Sequence, residues 1–498
     1  MSSPSERYAA ARRRRARPVL TDFRAGYPFT FDPFQESGCE ALEDGYSVLV
    51  CAPTGAGKTI VGEFAVALAL AAGQKCFYTT PIKALSNQKY NDLVDRHGAE
   101  RVGLLTGDNA VNSDAPVVVM TTEVLRNMLY VDSPALDGLG YVVMDEVHYL
   151  GDRFRGAVWE EVIIHLPAAV RLVSLSATVS NAEEFGEWLV SVRGETRVVV
   201  HEERPVPLWQ HVLVGGRMFD LFSVATAPDG TPADRPIVNP SLLRTVGERS
   251  RYVDPSPGRR GTRRPNRGWR PPDRPELITR LDREGLLPAI TFVFSRAGCE
   301  AAVQQCVWAG LRLTTDDERA EIDEVIDELT ATVPPEDLEV LGYWEWRDAL
   351  RRGVAAHHAG LIPAFKHTVE ELFVRGLVRA VFATETLALG INMPARTVVL
   401  ERLSKFNGET HADITPGEYT QLTGRAGRRG IDVEGHAVVV WSPEVDPQRV
   451  AGLASNRTYP LRSSFRPSYN MAVNLVGQLG RAEARKLLEA SFAQFQAD

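Results

Sequence analysis

Residues 52–59 read APTGAGKT, set between a short apolar run, Tyr46-Ser47-Val48-Leu49-Val50, and an apolar, Ala-rich segment of helical pattern. Strand, glycine-rich loop and helix in that order make a phosphate cradle. Gly55 and Gly57 admit backbone conformations that other residues resist, so successive N–H groups can turn toward phosphate oxygens. Lys58 supplies a point charge, and Thr59 a hydroxyl for Mg²⁺. The pattern's usual first glycine is Ala52 in this chain.

From about residue 28 to 205, strand-like runs alternate with helical stretches: VLVCA, KCFYTTP, VVVMTTE, YVVMDE, LVSLSAT and TRVVV. Such alternation predicts a parallel sheet with helices on both faces. Composition shifts between about 216 and 275, where Pro, Gly and Arg dominate without an apolar period, and residues 206–275 read as a linker or insertion. A second alternating block, 276–450, has AITFVFS, GVAAHHAG, RAVFATE, TVVLE and HAVVVW as its strands. The fold class is therefore α/β, with two such units in tandem. Near the C-terminus Ala484, Leu487, Leu488, Phe492 and Phe495 form an apolar stripe at helical spacing, which requires a surface to pack on.

The 498 residues leave room for about three domains. With no apolar run of membrane-spanning length, and an N-terminus that lacks the apolar stretch of a secretion signal, a cytoplasmic protein is expected. The five cysteines form no CxxC pair, which suggests neither disulfides nor zinc. A net charge of −8 makes any nucleic-acid binding local. The basic tail, residues 1–27 with arginines at 12–15, reads either as a solvated tail or as an arm that contacts phosphates.

The run YVVMDEVH puts Asp145 and Glu146 at the carboxyl end of a strand. In phosphoryl transfer one acid holds Mg²⁺ and a neighbour orients and deprotonates the attacking water, so Asp145 takes the first role and Glu146 the second. In QLTGRAGRRG, Arg425 and Arg428 are three apart and are expected on one helical face. Arginines brought to a transferring phosphate contribute about 10³ to 10⁵ in rate where that role is established.

Taken together, FDPFQ, APTGAGKT, TTPIKALSNQ, TTEVLRNML, DEVH, SAT, FVFSR, ATETLALGINMPA and QLTGRAGRRG resemble, in family order, a superfamily 2 DExH-box helicase of the superkiller, exosome-associated RNA helicase type. Within it, the actinobacterial HelY type is most similar. The resemblance runs from Phe31 to the C-terminus and implies two RecA-like parallel-sheet domains followed, over 451–498, by part of a winged-helix domain. It implies that ATP and Mg²⁺ are cofactors. Gln35 would read the adenine edge, and Ala52, Pro53, Thr54, Gly55, Ala56, Gly57, Lys58 and Thr59 would hold the triphosphate. Thr59 and Asp145 would hold the metal. Gln421 would help to position the water, Arg425 and Arg428 would meet the γ-phosphate, and Ser176 and Thr178 would link hydrolysis to domain motion.

The same resemblance, with the phosphate-binding habit of short hydroxyl side chains and helix N-termini, puts Pro81, Lys83, Thr121, Thr122, Ser295, Arg296 and Thr384 on the nucleic-acid backbone. Asn407-Gly408 is a strong hairpin signal, and Phe406 beside it would stack on a base at a duplex junction or sit on a plain surface hairpin. His357 and His358 lack a third ligand at metal spacing. The partners implied are single-stranded RNA or DNA, duplexes with a single-stranded overhang and RNA-decay nucleases, with no membrane. The implied activity is ATP-driven 3′ to 5′ movement along one strand, RNA ahead of DNA. An ATP-gated RNA clamp and a DNA repair helicase are the alternatives. Because the family's helical bundle lies past Asp498, nucleotide binding with weak ATPase is expected of this chain, without robust strand separation.

Overall fold

The computed structural model describes residues 17–226, 232–252, 273–388, 393–406, 410–455, 458–466 and 469–497, so the arginines at 12–15 lie outside the described residues. The chain divides into two compact units, one of Met1–Arg204 with Thr458–Asp498 and one of Pro205–Arg457.

The first unit holds strands β1 (Ser47–Cys51), β2 (Lys75–Thr80), β3 (Val102–Leu105), β4 (Ala110–Val111), β5 (Val117–Thr121), β6 (Leu139–Met144), β7 (Arg171–Ser176) and β8 (Thr196–Val200). They form one sheet in the order β4-β3-β5-β2-β6-β7-β1-β8, and only β3 with β4 is antiparallel. Parallel strands covered on both faces become unbroken apolar runs, and β1 and β5 are buried at every position. Alternate side chains serve opposite cores: Val48 and Val50 pack with Leu42, Val61 and Phe64, whereas Leu49, Cys51, Phe77 and Met144 pack with Trp159 and Trp188.

The C-terminal residues complete that second face. Phe492 is fully buried, with its ring centroid 5.2 Å from those of Phe185 and Trp188. Trp188 Nε1 donates to the Ala490 carbonyl at 2.9 Å. The apolar stripe finds its surface here: Ala484, Leu487 and Leu488 pack with Tyr130 and Ala157, and Phe495 packs on the core that holds Phe492. Ahead of these contacts the helix Tyr469–Glu489 is broken at Gly480, whose φ is +76°. Residues 451–498, read as one region from sequence, are thus divided: helix Pro447–Ser455 belongs to the second unit, and the chain from Thr458 to the first.

The second unit continues with β9 (Leu208–Val214), β10 (Arg217–Asp220), β11 (Phe222–Thr226), β12 (Pro232–Val238), β13 (Ala289–Phe292), β14 (Val354–His357), β15 (Ala380–Ala383), β16 (Thr397–Leu400), β17 (Ser404–Phe406), β18 (His411–Asp413) and β19 (Gly435–Val440). Its main sheet has the order β10-β9-β19-β16-β13-β15-β14, while β11 pairs with β12 and β17 with β18. The linker reading of 206–275 is corrected by this topology. Strand β9 pairs in parallel with β19 along Leu208–Leu213, turns at Gly215 and Gly216, and returns as the antiparallel edge β10. Its apolar run, LWQHVLV, was overshadowed by the Pro, Gly and Arg that follow, and residues 253–272 lie outside the described residues.

Candidate nucleotide and nucleic-acid sites

In the first unit the chain leaves β1 at Cys51 and enters helix Thr59–Ala72 directly after Lys58. Gly55 and Gly57 have φ of +81° and +87°, the left-handed region that side chains disfavour. Within the turn Ala56 N donates to the Pro53 carbonyl at 3.1 Å, and Ala52 N ties the loop's start to the Ser176 carbonyl at 3.1 Å. Thr54 lies between these anchors. Thr59 stands at the helix N-terminus, where backbone N–H groups favour anions.

Gln35 is engaged with the loop itself. Its Nε2 donates to the Gly57 carbonyl at 2.9 Å and its Oε1 accepts from Asp32 N at 2.8 Å, so both amide ends are engaged, and the residue is buried. The Asp32 contact is half of a capping box on helix Pro33–Glu43. A bond from Gln35 to a base edge would replace the Gly57 contact.

Strand β6 brings Asp145 and Glu146 to the same end of the sheet as the loop. The Lys58 ammonium lies 3.3 Å from Glu146 Oε1. Asp145 accepts from the Tyr78 hydroxyl at 3.1 Å and from Glu146 N at 2.9 Å. Burial, and then the charge of Glu146, push the Asp145 carboxyl up to about 6, against the pull of Lys58 and Lys89. Glu146 itself is held at φ +52°, a conformation uncommon outside glycine and concentrated at functional sites. One carboxylate and one hydroxyl suit Mg²⁺, which takes few protein ligands beside water and phosphate oxygens. The residues present fit the ion, and Asp145 and Thr59 would be its protein donors.

Three neighbours went unread in the sequence. Tyr78 holds Asp145 as described. Lys89 pairs with Glu63 at 3.3 Å, so a cation is fixed behind the loop's helix. His148 is kept neutral: burial first, and Lys58, lower its pKa to about 4 against the opposing charge of Glu146. Its Nδ1 accepts from Ala177 N at 3.2 Å, so the 3.4 Å approach to Glu146 Oε2 is not a charge pair. The signal available for His148 was its spacing two after Glu146, on the first turn beyond the strand. Ser176 ends β7 in register with Cys51, and Thr178 is buried just beyond.

Among the residues expected on nucleic acid, Lys83 opens helix Lys83–His97, is exposed and pairs with Asp108 at 2.9 Å. The Pro81 carbonyl accepts from Arg155 Nη2 at 2.5 Å. Thr121 and Thr122 are both buried at the start of helix Thr122–Tyr130, and Thr122 donates to the Thr80 carbonyl at 3.3 Å.

In the second unit Ser295 caps helix Arg296–Trp308, accepting from Gly298 N at 2.9 Å, and Arg296 is exposed. Thr384 shares a hydroxyl contact with Thr386 at 3.0 Å. His357 and His358 go to separate carboxylates, Glu370 at 2.8 Å and Glu300 at 2.7 Å. The hairpin expected at 407–408 has its arms in β17 and β18, with Phe406 opposite His411. The Phe406 side chain and residues 407–409 lie outside the described residues.

Arg425 and Arg428 do not share a helical face. The helix Pro416–Thr423, which carries Gln421, ends at Gly424, and Gly427 turns the chain with φ +87° while its N–H donates to the Ala395 carbonyl at 2.8 Å. A Cβ at Gly427 would lie 2.7 Å from Val206 Cγ1, so the glycine is needed for space as well as for φ. Arg425 is buried. Arg428 forms a fork with Asp432, Nε and Nη2 each 2.8 Å from a carboxylate oxygen.

Residues 32–185 match the DEAD/DEAH box helicase model and residues 337–430 match the helicase conserved C-terminal domain. Over 96% of its length the chain is 69% identical to the probable helicase HelY of Mycobacterium tuberculosis, covering 53% of that protein. It is 66% identical to the probable helicase HelY of Mycobacterium leprae, of which it also covers 53%. It is 38% identical to the exosome RNA helicase MTR4 of Homo sapiens, covering 94% of this chain and 44% of that one. The chain thus spans about half the length of the curated relatives it matches. With a DEAD/DEAH box helicase domain followed by a helicase C-terminal domain, and such identity along almost its whole length, the chain belongs to the DExH-box helicases.

Proposed function

We propose that this chain is the ATP-hydrolysing part of a helicase that moves along one strand of nucleic acid, RNA ahead of DNA and 3′ to 5′. The observation that carries the reading is the meeting, at one end of one sheet, of a glycine-turned loop, the Lys58–Glu146 pair at 3.3 Å and the buried Asp145 carboxylate. Each part answers one need of phosphoryl transfer: an anion cradle, a mobile cation, a metal ligand and a base beside the water.

In this reading Ala52, Pro53, Thr54, Gly55, Ala56, Gly57, Lys58 and Thr59 enclose the phosphates, and Lys58 exchanges Glu146 for a phosphate oxygen. Mg²⁺, when bound, neutralises charge developing on the phosphates. Glu146, released from Lys58, accepts the proton of the attacking water. Gln35 turns from Gly57 to the adenine. Gln421, Arg425 and Arg428 act on the water and the γ-phosphate, Arg428 at the expense of its fork with Asp432. Ser176 and Thr178 pass the change onward, and Pro81, Lys83, Thr121, Thr122, Ser295, Arg296 and Thr384 hold the strand's backbone, with Phe406 at the duplex junction. We place the ATP-binding domain at 28–205 and the C-terminal helicase domain at 276–450, with β9 and β10 as its sheet edge.

The relatives named as RNA helicases, the exosome RNA helicase MTR4 among them, favour RNA for this chain too. Among the described residues no helix is long and apolar enough to cross a membrane. A cytoplasmic site of action beside RNA-decay nucleases belongs to the same proposal. The test compares single-stranded RNA with DNA as activators of phosphate release, alongside displacement of a strand from a duplex with a 3′ overhang. Stimulation of wild type by RNA, lost in Lys58→Ala, is expected. Turnover indifferent to both nucleic acids would refute the coupling, and retention of RNA without displacement would point to a clamp.

A further inference from the structure

The chain leaves the first unit at Arg204 and rejoins it at Thr458. The rejoining residues attach directly behind the Ser176-Ala177-Thr178 motif. Val179 and Tyr459 form a parallel β-bridge, and Ser180 N donates to the Tyr459 carbonyl at 3.0 Å.

Asn181 then serves both backbone groups of one residue 280 positions away. Its Nδ2 donates to the Leu461 carbonyl at 2.8 Å, and its Oδ1 accepts from Leu461 N at 2.6 Å. Asn181 occupies the N-cap position of helix Ala182–Arg193, yet its side chain makes no cap hydrogen bond. Asn is favoured at N-caps because it accepts from the helix's first free N–H groups. Here the side chain bridges Leu461 instead of capping the helix, its Nδ2 also donating to the Glu184 carboxylate, and broken local rules cluster at functional sites.

On the other side the same motif meets the nucleotide site, since Ala177 N donates to His148, whose ring adjoins Glu146. The Tyr459 phenol is close enough to feel that site: burial, then the charges of Glu146 and Cys51, push its pKa up. Ser464 Oγ adds a bond to the Leu150 carbonyl, on the short helix that follows Glu146, at 3.0 Å.

We propose that residues 458–464 complete the nucleotide site of the first unit, with Asn181 as the positioning residue that fixes the Ser176–Thr178 loop to them. The proposal rests on the ATPase reading above. A shift at Thr178 on hydrolysis is carried through the 179–181 rungs into the peptide that follows the second unit. The same rungs hold Ala177, and through His148 the surroundings of Glu146, in place for attack.

The test uses the full chain with Asn181→Ser, which can cap the helix but cannot bridge Leu461. Expected are an unchanged melting temperature, ATP affinity within about twofold and kcat lower by roughly tenfold, because small misplacements of catalytic groups cost large factors in rate. The Leu461 amide should also gain protection from hydrogen exchange when a non-hydrolysable ATP analogue binds wild type, and not when it binds the variant. As a control, Trp188→Phe removes the hydrogen bond to Ala490 and should keep wild-type kcat. Wild-type kcat in Asn181→Ser, or no nucleotide-dependent protection of Leu461 in wild type, overturns the proposal. Loss of melting temperature in step with kcat would make Asn181 merely structural and overturn it too. Failure of wild type to bind a fluorescent ATP analogue would instead bring down the ATPase reading, and the role of residues 458–464 with it.

Discussion

Lys58 and Glu146 neutralise each other across 3.3 Å, with side chains that are mostly buried. A cation committed to a carboxylate must be won over by phosphate. Glu146→Gln removes the competitor and the base together. It should bind ATP at least as tightly as wild type, while turnover falls by about 10² to 10⁴, the usual contribution of a general base. Lys58→Ala should weaken binding by about tenfold or more, as expected for a charged hydrogen bond. Titration with a fluorescent ATP analogue, beside phosphate release, separates the two effects.

Glu160 gives the first unit a pH dependence. Its carboxylate is fully buried and accepts from Phe492 N at 2.8 Å and from the Ser463 hydroxyl. Burial raises its pKa to about 7 despite these bonds. A carboxyl raised in the folded state is stabilising below its unfolded value of 4.5 and loses that contribution as pH climbs toward 7. The loss is about 3 kcal/mol at most. Melting temperatures should therefore fall from pH 5 to pH 8, and Glu160→Gln should flatten the curve. A wild-type profile that is already flat would contradict this.

Phe492 fills the space beside Phe185 and Trp188, so Phe492→Ala opens a cavity in a core that cannot readily collapse. The expected cost is about 3 to 5 kcal/mol. Denaturant unfolding followed by tryptophan fluorescence should show it as an earlier first transition, since Trp188 reports on this site.

Gly427→Ala combines a forbidden φ with a clash against Val206. A loss of roughly 1 to 3 kcal/mol is expected in the second unit. Adding Val206→Ala should return the steric part and leave the backbone part. A double-mutant cycle that sums to zero coupling would rule out the contact.

Much of the first sheet was legible because strands covered on both faces must be largely apolar, as β1, β2, β5, β6 and β7 are. The phosphate loop and Asp145-Glu146 were legible because their chemistry depends on residue type and on position after a strand. Short β3 and the two-residue β4 leave too little pattern, and β9 was masked by its polar neighbours. The three-residue spacing of Arg425 and Arg428 misled because the helix that carries Gln421 ends at Gly424, ahead of both, and Gly427 turns the chain between them. Gln35 came from the family resemblance alone, and its engagement with Gly57 depends on tertiary approach. Asn181 and Leu461 carry no trace of each other, because a pair so far apart in sequence leaves no periodicity in either.

That separation has a cost during synthesis. The first unit is discontinuous: 253 residues, Pro205–Arg457, are made before its last portion. At about 5 to 20 residues per second the ribosome needs roughly 13 to 50 s to make them. Through that interval Phe185 and Trp188 wait without Phe492, an apolar seat open to chaperones or to other nascent chains. Any fragment cut at Arg204 to isolate the ATP-binding domain would keep that seat open permanently, and its solubility would suffer for a reason that has nothing to do with nucleotide.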